Sequence, residues 1–299
     1  MTLHGKTAIR TFLFAPGNHA RRVEKALTLG ADAVILDLED ACPVAEKIAT
    51  RPVVVEALQG PRRCRGFVRV NPLSTTFGYG DLVAVVRKGV DGIVLPKVET
   101  ADELRTGEWL LTQLERENGL AEGSIDLMPI VETGKGLRNL DSIAQAATRV
   151  RRLAFGAGDF TLDMNLTWTR DEAELLPFRS AFTVASRAAG LEAPIDTVWV
   201  RVQDKEGFEA SARHVRALGF QGKMCIYPDQ IPVANAAFSP SPEQIAWAER
   251  VVAAFEAAEA SGSAAIQLDG QFLDYPIVYQ AERVLASADS FGLRQKAAS

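Results

Sequence analysis

The chain has 299 residues, 47% of them apolar and 24% charged, an ordinary globular composition with room for a large core. Its net charge of -5 argues against the basic stripe of a nucleic-acid surface. No apolar run approaches the roughly 18 residues of a membrane span, and residues 1–10 hold no apolar h-region, so neither a membrane anchor nor a signal peptide is expected. Cys42, Cys64 and Cys225 are too widely spaced for a zinc motif and odd in number for a disulfide framework, which predicts a reducing, cytoplasmic setting.

Short apolar runs recur with helical stretches between them. Strands are expected near Thr11–Ala15, Ala33–Leu38, Phe67–Val70, Gly92–Leu95, Leu127–Val131, Leu153–Phe155, Thr197–Val200 and Lys223–Ile226. Helices are expected over Ala20–Leu29 and Gly136–Arg149, among others. Continuous rather than alternating apolar strands suit a parallel sheet buried on both faces. Eight strand–helix units over about 230 residues predict a (β/α)8 TIM barrel, a fold of roughly 250 residues. A doubly wound open sheet is the alternative, but Pro16-Gly17-Asn18 follows the first strand where a G-x-G-x-x-G fingerprint would be expected. The barrel is read as residues 1–235, followed by a C-terminal helical arm, 236–299. In the arm, Ser241 caps a helix from Pro242 to about Ala260, and a last helix runs from Pro276 to about Phe291. The arm is expected to cover the barrel mouth or reach a neighbouring subunit.

Most of the strands end in chemically useful residues. The second ends Asp37-Leu38-Glu39-Asp40, the third Arg69-Val70-Asn71, the fourth Pro96-Lys97-Val98-Glu99, and the eighth Tyr227-Pro228-Asp229-Gln230. Asp126-Leu-Met-Pro-Ile-Val-Glu132 and Arg152-Leu-Ala-Phe-Gly-Ala-Gly-Asp159 each put one carboxylate just past a strand. A barrel gathers its C-terminal strand ends into one pocket. Glu132 and Asp159 can therefore share one hard cation, since a magnesium site needs only one or two carboxylates, with water and substrate as the other ligands. Glycines beside both acids let backbone approach a ligand, and a helix start just after Glu132 offers N–H groups to a substrate carboxylate. The plainer reading of the pair is helix capping or surface ion pairing.

Arg69 ends a buried strand. Its fork suits a substrate carboxylate or oxyanion, held rigid by Glu39 and Asp40. The plainer reading is a structural bridge to those same acids. Lys25, on the first helix, reads as a surface lysine, Cys225 as core and Asp274 as a turn residue. His4, His19 and His214 are singletons and not metal ligands.

Taken in order, Leu13-Phe14-Ala-Pro-Gly-Asn18, Ala31-Asp-Ala-Val-Ile-Leu-Asp-Leu-Glu-Asp40, Val68-Arg-Val-Asn71, Leu95-Pro-Lys97, Ile130-Val-Glu-Thr133 and Gly158-Asp159 resemble the citrate lyase beta subunit family. This is the wider group of malyl-CoA lyases, citramalyl-CoA lyases and HpcH/HpaI-type aldolases. The resemblance runs from Arg10 to about Asn235 and continues into the arm. It implies a TIM barrel, a divalent ion (Mg2+, with Mn2+ as the alternative), and a homotrimer or hexamer. The reaction it implies makes or breaks a carbon–carbon bond beside a carbonyl. A β-hydroxyacyl-CoA such as malyl-, citramalyl- or citryl-CoA would give a 2-oxo acid and an acyl-CoA. By resemblance, Glu132 and Asp159 hold the metal. Arg69 binds substrate and stabilises charge, with Glu39 and Asp40 beside it. Phe14 and Lys25 contact substrate or CoA. Asp274, in Phe272-Leu-Asp-Tyr-Pro276, is the acid/base given to the adjacent subunit. Two positions depart from the pattern. Tyr227 stands where many relatives have histidine, and His19 where the malyl-CoA lyase branch has arginine. The alternatives are a metal-dependent aldolase on free hydroxy-oxo acids and a non-catalytic metal-binding subunit.

Overall fold

The computed structural model describes residues 8–146, 149–263 and 265–294. Strands β1 (Thr11–Pro16), β2 (Ala33–Asp37), β3 (Arg65–Arg69), β4 (Gly92–Leu95), β5 (Asp126–Val131), β6 (Ala154–Phe155), β7 (Ile195–Asp196) and β8 (Gly222–Cys225) pair in chain order into a closed barrel. Every pairing is parallel, and β8 returns to β1 through Leu13 and Cys225. This is the TIM barrel expected from the apolar strand pattern. Helices α1 (Ala20–Ala26), α2 (Lys47–Gln59), α3 (Gly78–Val85), α4 (Ala101–Glu117), α5 (Gly134–Arg138), α6 (Leu140–Ala144), α7 (Ala157–Asp163), α8 (Leu176–Ala188), α9 (Lys205–Ala217) and α10 (Gln230–Ala237) connect and follow the strands.

The barrel interior is filled by Phe12, Ala33, Ile35, Phe67, Val94, Met128, Ile130, Ala154, Ile195 and Met224. Strand side chains alternate with a period of two, so whatever follows these positions by two residues also faces the barrel axis. Phe12 leads to Phe14, Ile35 to Asp37, Phe67 to Arg69, Ile130 to Glu132, and Ala154 to Gly156. The apolar columns thus end, at the C-terminal rim, in an aromatic ring, two acids, an arginine and a gap. Outside the barrel wall, Asp196 is buried against Arg179 of α8 at 2.8 Å and against Lys223, which ties the sheet to its helix layer.

Two expectations need correction. The seventh strand is Ile195–Asp196, not Thr197–Val200. Ile195 turns inward and pairs with Ala154 and Gly222. The more strand-like Thr-Val-Trp-Val run lies beyond the ladder. Thr197 Oγ1 accepts the Ala157 N–H at 2.8 Å, and the Trp199 carbonyl accepts Gln230 Nε2 at 3.0 Å. Side chains thus satisfy backbone that a neighbouring strand would otherwise serve. The helix expected over Gly136–Arg149 is instead α5 and α6, broken at Asn139, whose side chain donates to the Glu99 carbonyl at 2.8 Å. Part of that expected helix lies outside the described residues.

Among the described residues, Ala8 and those from Ala236 to Arg294 form a second compact unit, distinct from Ile9–Asn235. Helix α11 (Pro242–Ala260) starts with a capping box, in which Ser241 Oγ accepts the Gln244 N–H and Gln244 Oε1 accepts the Ser241 N–H. Strands β9 (Ile266–Leu268) and β10 (Gln271–Leu273) pair antiparallel around Asp269-Gly270, both at positive φ, the geometry of a two-residue hairpin turn. Helix α12 (Tyr275–Ser290) follows, and Val251, Phe255, Leu273, Val278 and Ala281 form the unit's core.

Candidate functional site

Asp37 and Arg69 are direct register partners on β2 and β3. The arginine fork closes on that carboxylate with Nε to Oδ1 at 2.7 Å and Nη2 to Oδ2 at 2.6 Å. Its remaining nitrogen, Nη1, lies 2.8 Å from Glu39 and 3.8 Å from Asp40. The main brace is therefore Asp37; Glu39 joins it as expected, while Asp40 stands farther off. Asp40, 58% exposed at its side chain, is the outermost of the three. The Phe14 ring packs over the Arg69 guanidinium at 4.8 Å, a cation–π contact that keeps the fork flat against the barrel mouth.

Burial alone would raise the Asp37 carboxyl, but the charge and paired hydrogen bonds of Arg69 outweigh it and hold it below the usual carboxylate range. Burial also raises Glu39, and there the charges of Arg69 and Lys97 offset it only in part. The turn carrying Glu39 is fastened by buried Lys47, whose ammonium donates to the carbonyls of Leu38 at 2.8 Å and Glu39 at 2.6 Å and to Asn71 Oδ1 at 2.8 Å. Nothing in the residue pattern marked Lys47. It is the first residue of α2, and only the fold swings it under the strand end.

Glu132 follows the last residue of β5, is 3% exposed, and its Oε1 accepts the Lys97 N–H at 2.9 Å. Burial pushes its carboxyl up to about 8, the charges of Asp159 and Glu39 add to this, and Arg69 and the Lys97 amide oppose it. Gly156 makes the room: a Cβ there would collide with Glu132 Oε2. Asp159 lies in the first turn of α7, and its Oδ2 is 3.4 Å from Lys97 Nζ. The Lys97 ammonium also hydrogen-bonds Glu39 and lies 3.4 Å from Asp40. Lys97 carries no assigned role in the sequence. It was legible only as the end of a strand, and its contacts depend on a left-handed backbone at φ 52°.

The structure thus brings Phe14, Glu39, Asp40, Arg69, Glu132 and Asp159 to one rim, with Asp37 and Lys97 added. One of the expected residues lies elsewhere in the barrel unit. Lys25 is exposed in the last turn of α1, with no contact to the rim among the described residues. Asp274 precedes α12 in the C-terminal unit, where its carbonyl accepts the N–H groups of Ile277 and Val278. Two of the N–H groups expected to cradle an anion after Glu132 are taken within the chain. The Gly134 N–H donates to Asp163 at 2.7 Å and the Gly136 N–H to Thr133 Oγ1 at 3.0 Å. Gly136 is instead required by packing, since a Cβ would meet the Val98 carbonyl at 2.6 Å.

Among the described residues no three His, Cys, Asp or Glu side chains converge on a single point. A two-carboxylate set still fits a hard cation that keeps several waters. The cradle at Gly156 and the raised Glu132 carboxyl fit it too, because both leave a buried acid without a full counter-charge. A parallel barrel with such a pair at its C-terminal rim, facing a braced arginine, is the architecture of a metal-assisted enzyme acting on an oxyanion-forming substrate.

The family model described as HpcH/HpaI aldolase/citrate lyase matches residues 10–228. The chain is 40% identical to the citrate lyase subunit beta of Leuconostoc mesenteroides over 285 residues, covering 94% of this chain and 93% of the relative. It is 32% identical to the human mitochondrial citramalyl-CoA lyase, covering 94% and 86%. Among solved structures, the CitE protein of Mycobacterium tuberculosis in complex with magnesium, acetoacetate and coenzyme A matches with a TM-score of 0.77 at 31% identity, covering 94% and 98%. The chain belongs to the HpcH/HpaI aldolase/citrate lyase family and is, with it, a carbon–carbon lyase. No described helix is long and apolar enough to cross a membrane.

Proposed function

We propose that this protein is a magnesium-dependent lyase that cleaves or forms a β-hydroxyacyl-CoA of the malyl, citramalyl or citryl type. Its products are a 2-oxo acid and an acyl-CoA. The observation that carries the reading is the Glu132–Asp159 pair set across from Arg69, with Gly156 cut away beside Glu132. Relatives of this length that act on or bind CoA compounds support it, as do solved neighbours holding magnesium with acetoacetate and coenzyme A or with pyruvate.

Glu132 and Asp159 would hold the ion, which would act as a Lewis acid toward the substrate oxygens. Arg69 faces the charge that develops as the carbon–carbon bond breaks and the thioester enolate forms. Its guanidinium cannot lose its proton there, because Asp37 and Glu39 hold it charged. Asp37 spends two of the fork's hydrogen bonds and so fixes its direction. Asp274 of an adjacent copy delivers a proton to the enolate carbon, or removes it in the reverse direction. The proton lost from the substrate hydroxyl balances the one delivered to carbon. A homotrimer or hexamer would supply that second copy.

The test is a panel of malyl-, citramalyl- and citryl-CoA and the corresponding free hydroxy acids, incubated with protein and Mg2+, with 2-oxo acid release followed by a coupled dehydrogenase. Release from one CoA ester and none with chelator is the expected result. Release from the free acids alone would convert the assignment to an aldolase, and release that persists in chelator would remove the metal from it.

A further inference from the structure

Among the described residues, Lys97 is the cationic residue of the rim that the proposed chemistry leaves unused. It touches every acid of the rim except Asp37 through one end or the other. Its N–H holds Glu132 Oε1 at 2.9 Å. Its ammonium hydrogen-bonds Glu39 and lies 3.4 Å from Asp40 and 3.4 Å from Asp159. The backbone is held at φ 52°, a conformation that L side chains adopt sparingly, and this turn is what lets both ends face the same pocket.

The two ends differ chemically. The N–H persists in any substitution but proline, so the orientation of Glu132 survives loss of the side chain. The ammonium does not, and it supplies half of the rim's positive charge. Arg69 and Lys97 face five carboxylates: Asp37, Glu39, Asp40, Glu132 and Asp159. Arg69 is committed to Asp37 and Glu39, whereas the Lys97 ammonium is shared among Glu39, Asp40 and Asp159. A divalent ion bound through Asp159 draws on a carboxylate that the ammonium already faces.

We propose that Lys97 is a positioning residue that sets how tightly this pocket holds its ion, its main chain aiming Glu132 while its ammonium competes with the ion for Asp159. The inference rests on Glu132 and Asp159 as the metal ligands. The ammonium weakens the grip on the ion, and by offsetting one carboxylate it lets an anionic 2-oxo acid approach a less negative rim. Loss of the charge therefore has opposite effects on two ligands, a signature that a merely structural defect does not produce.

The experiment titrates Mn2+ by electron paramagnetic resonance, and then pyruvate in saturating Mn2+, on the full-length wild type and on K97M, K97Q and K97R, with Tm measured for each. K97M and K97Q should bind Mn2+ at least about fivefold more tightly, the scale of a screened unit charge acting on a nearby divalent ion. They should also require several-fold more pyruvate. K97R should resemble the wild type in both. Mn2+ binding by the wild type with no gain in a folded K97M or K97Q overturns the inference alone. No Mn2+ binding by the wild type overturns the metal assignment, and the inference falls with it.

Discussion

Glu132 is enclosed almost completely, and in the absence of a bound cation its carboxyl is pushed up to about 8, chiefly by burial. A group whose folded value is raised contributes stability below its unfolded value near 4.3 and loses that contribution as pH rises toward the folded one. In chelator, the wild type should therefore lose stability relative to E132Q between about pH 4.5 and 8, because glutamine keeps the shape without the charge. Mg2+ should restore the wild type most at the alkaline end, since the ion binds the deprotonated carboxylate, and should leave E132Q unmoved. Activity of E132Q should fall by more than about a thousandfold, in line with the several kcal/mol a Lewis acid supplies. Thermal melts across that pH range, with and without Mg2+, check the first part; a Tm difference that stays flat with pH would sink it. At this scale the sequence was partly legible. Glu132, Asp159 and Arg69 each follow an apolar run and could be picked out one by one. Asp37 was visible only as one of three clustered acids, because its pairing with Arg69 depends on which residues of β2 and β3 lie side by side. Lys97 was visible as part of a strand end, but its contacts were not, because a left-handed backbone leaves no mark in a Leu-Pro-Lys tripeptide.

The elements of the barrel act as columns whose last inward position carries the chemistry. Where a column is long and apolar, as in β2, β3 and β5, its end could be located in the sequence to within a residue or two. Where the strand shrinks to two residues, as in β7, the apolar signal of the following loop outweighed it, and the register of Ile195 with Ala154 and Gly222 set the strand instead. The β9–β10 hairpin went unrecognised although Asp269-Gly270 is a standard signal for one; the flanking runs of three residues were too short to show alternation. Column six tests the idea that small residues shape this pocket. Gly156 has φ -106°, which any residue tolerates, so alanine there would strain packing rather than backbone. G156A should cost about 1–3 kcal/mol from overpacking against Glu132. It should weaken Mn2+ binding well beyond that, because the carboxylate must turn away. Calorimetric titration beside a denaturant melt separates the two effects, and undiminished Mn2+ affinity would show that Glu132 does not need the gap.

For the whole molecule, the decisive question is whether one copy of the chain suffices. Glu132 belongs to the unit Ile9–Asn235 and Asp274 to the C-terminal unit. If Asp274 serves the pocket of another copy, E132Q and D274N are each inactive alone for different reasons. Unfolded together and refolded as a mixture, they should regain a substantial fraction of wild-type turnover, since some pockets then combine an intact Glu132 with an intact Asp274. Mass photometry of the same mixture reads the assembly size. Mixed oligomers with no recovered activity would assign Asp274 to its own chain or remove it from the reaction. The pairing of Asp37 with Arg69 carries a separate consequence. The two side chains face each other only because residue 37 lies opposite residue 69 in the sheet. A slip of one residue between β2 and β3 would turn one of them to the outer wall. The pocket is therefore an internal gauge of strand alignment. Glu132 and Asp159, which follow β5 and β6, depend on strand alignment in the same way, so during refolding Mn2+ binding should return only after those two strands have settled into step, later than the circular-dichroism signal of the helices.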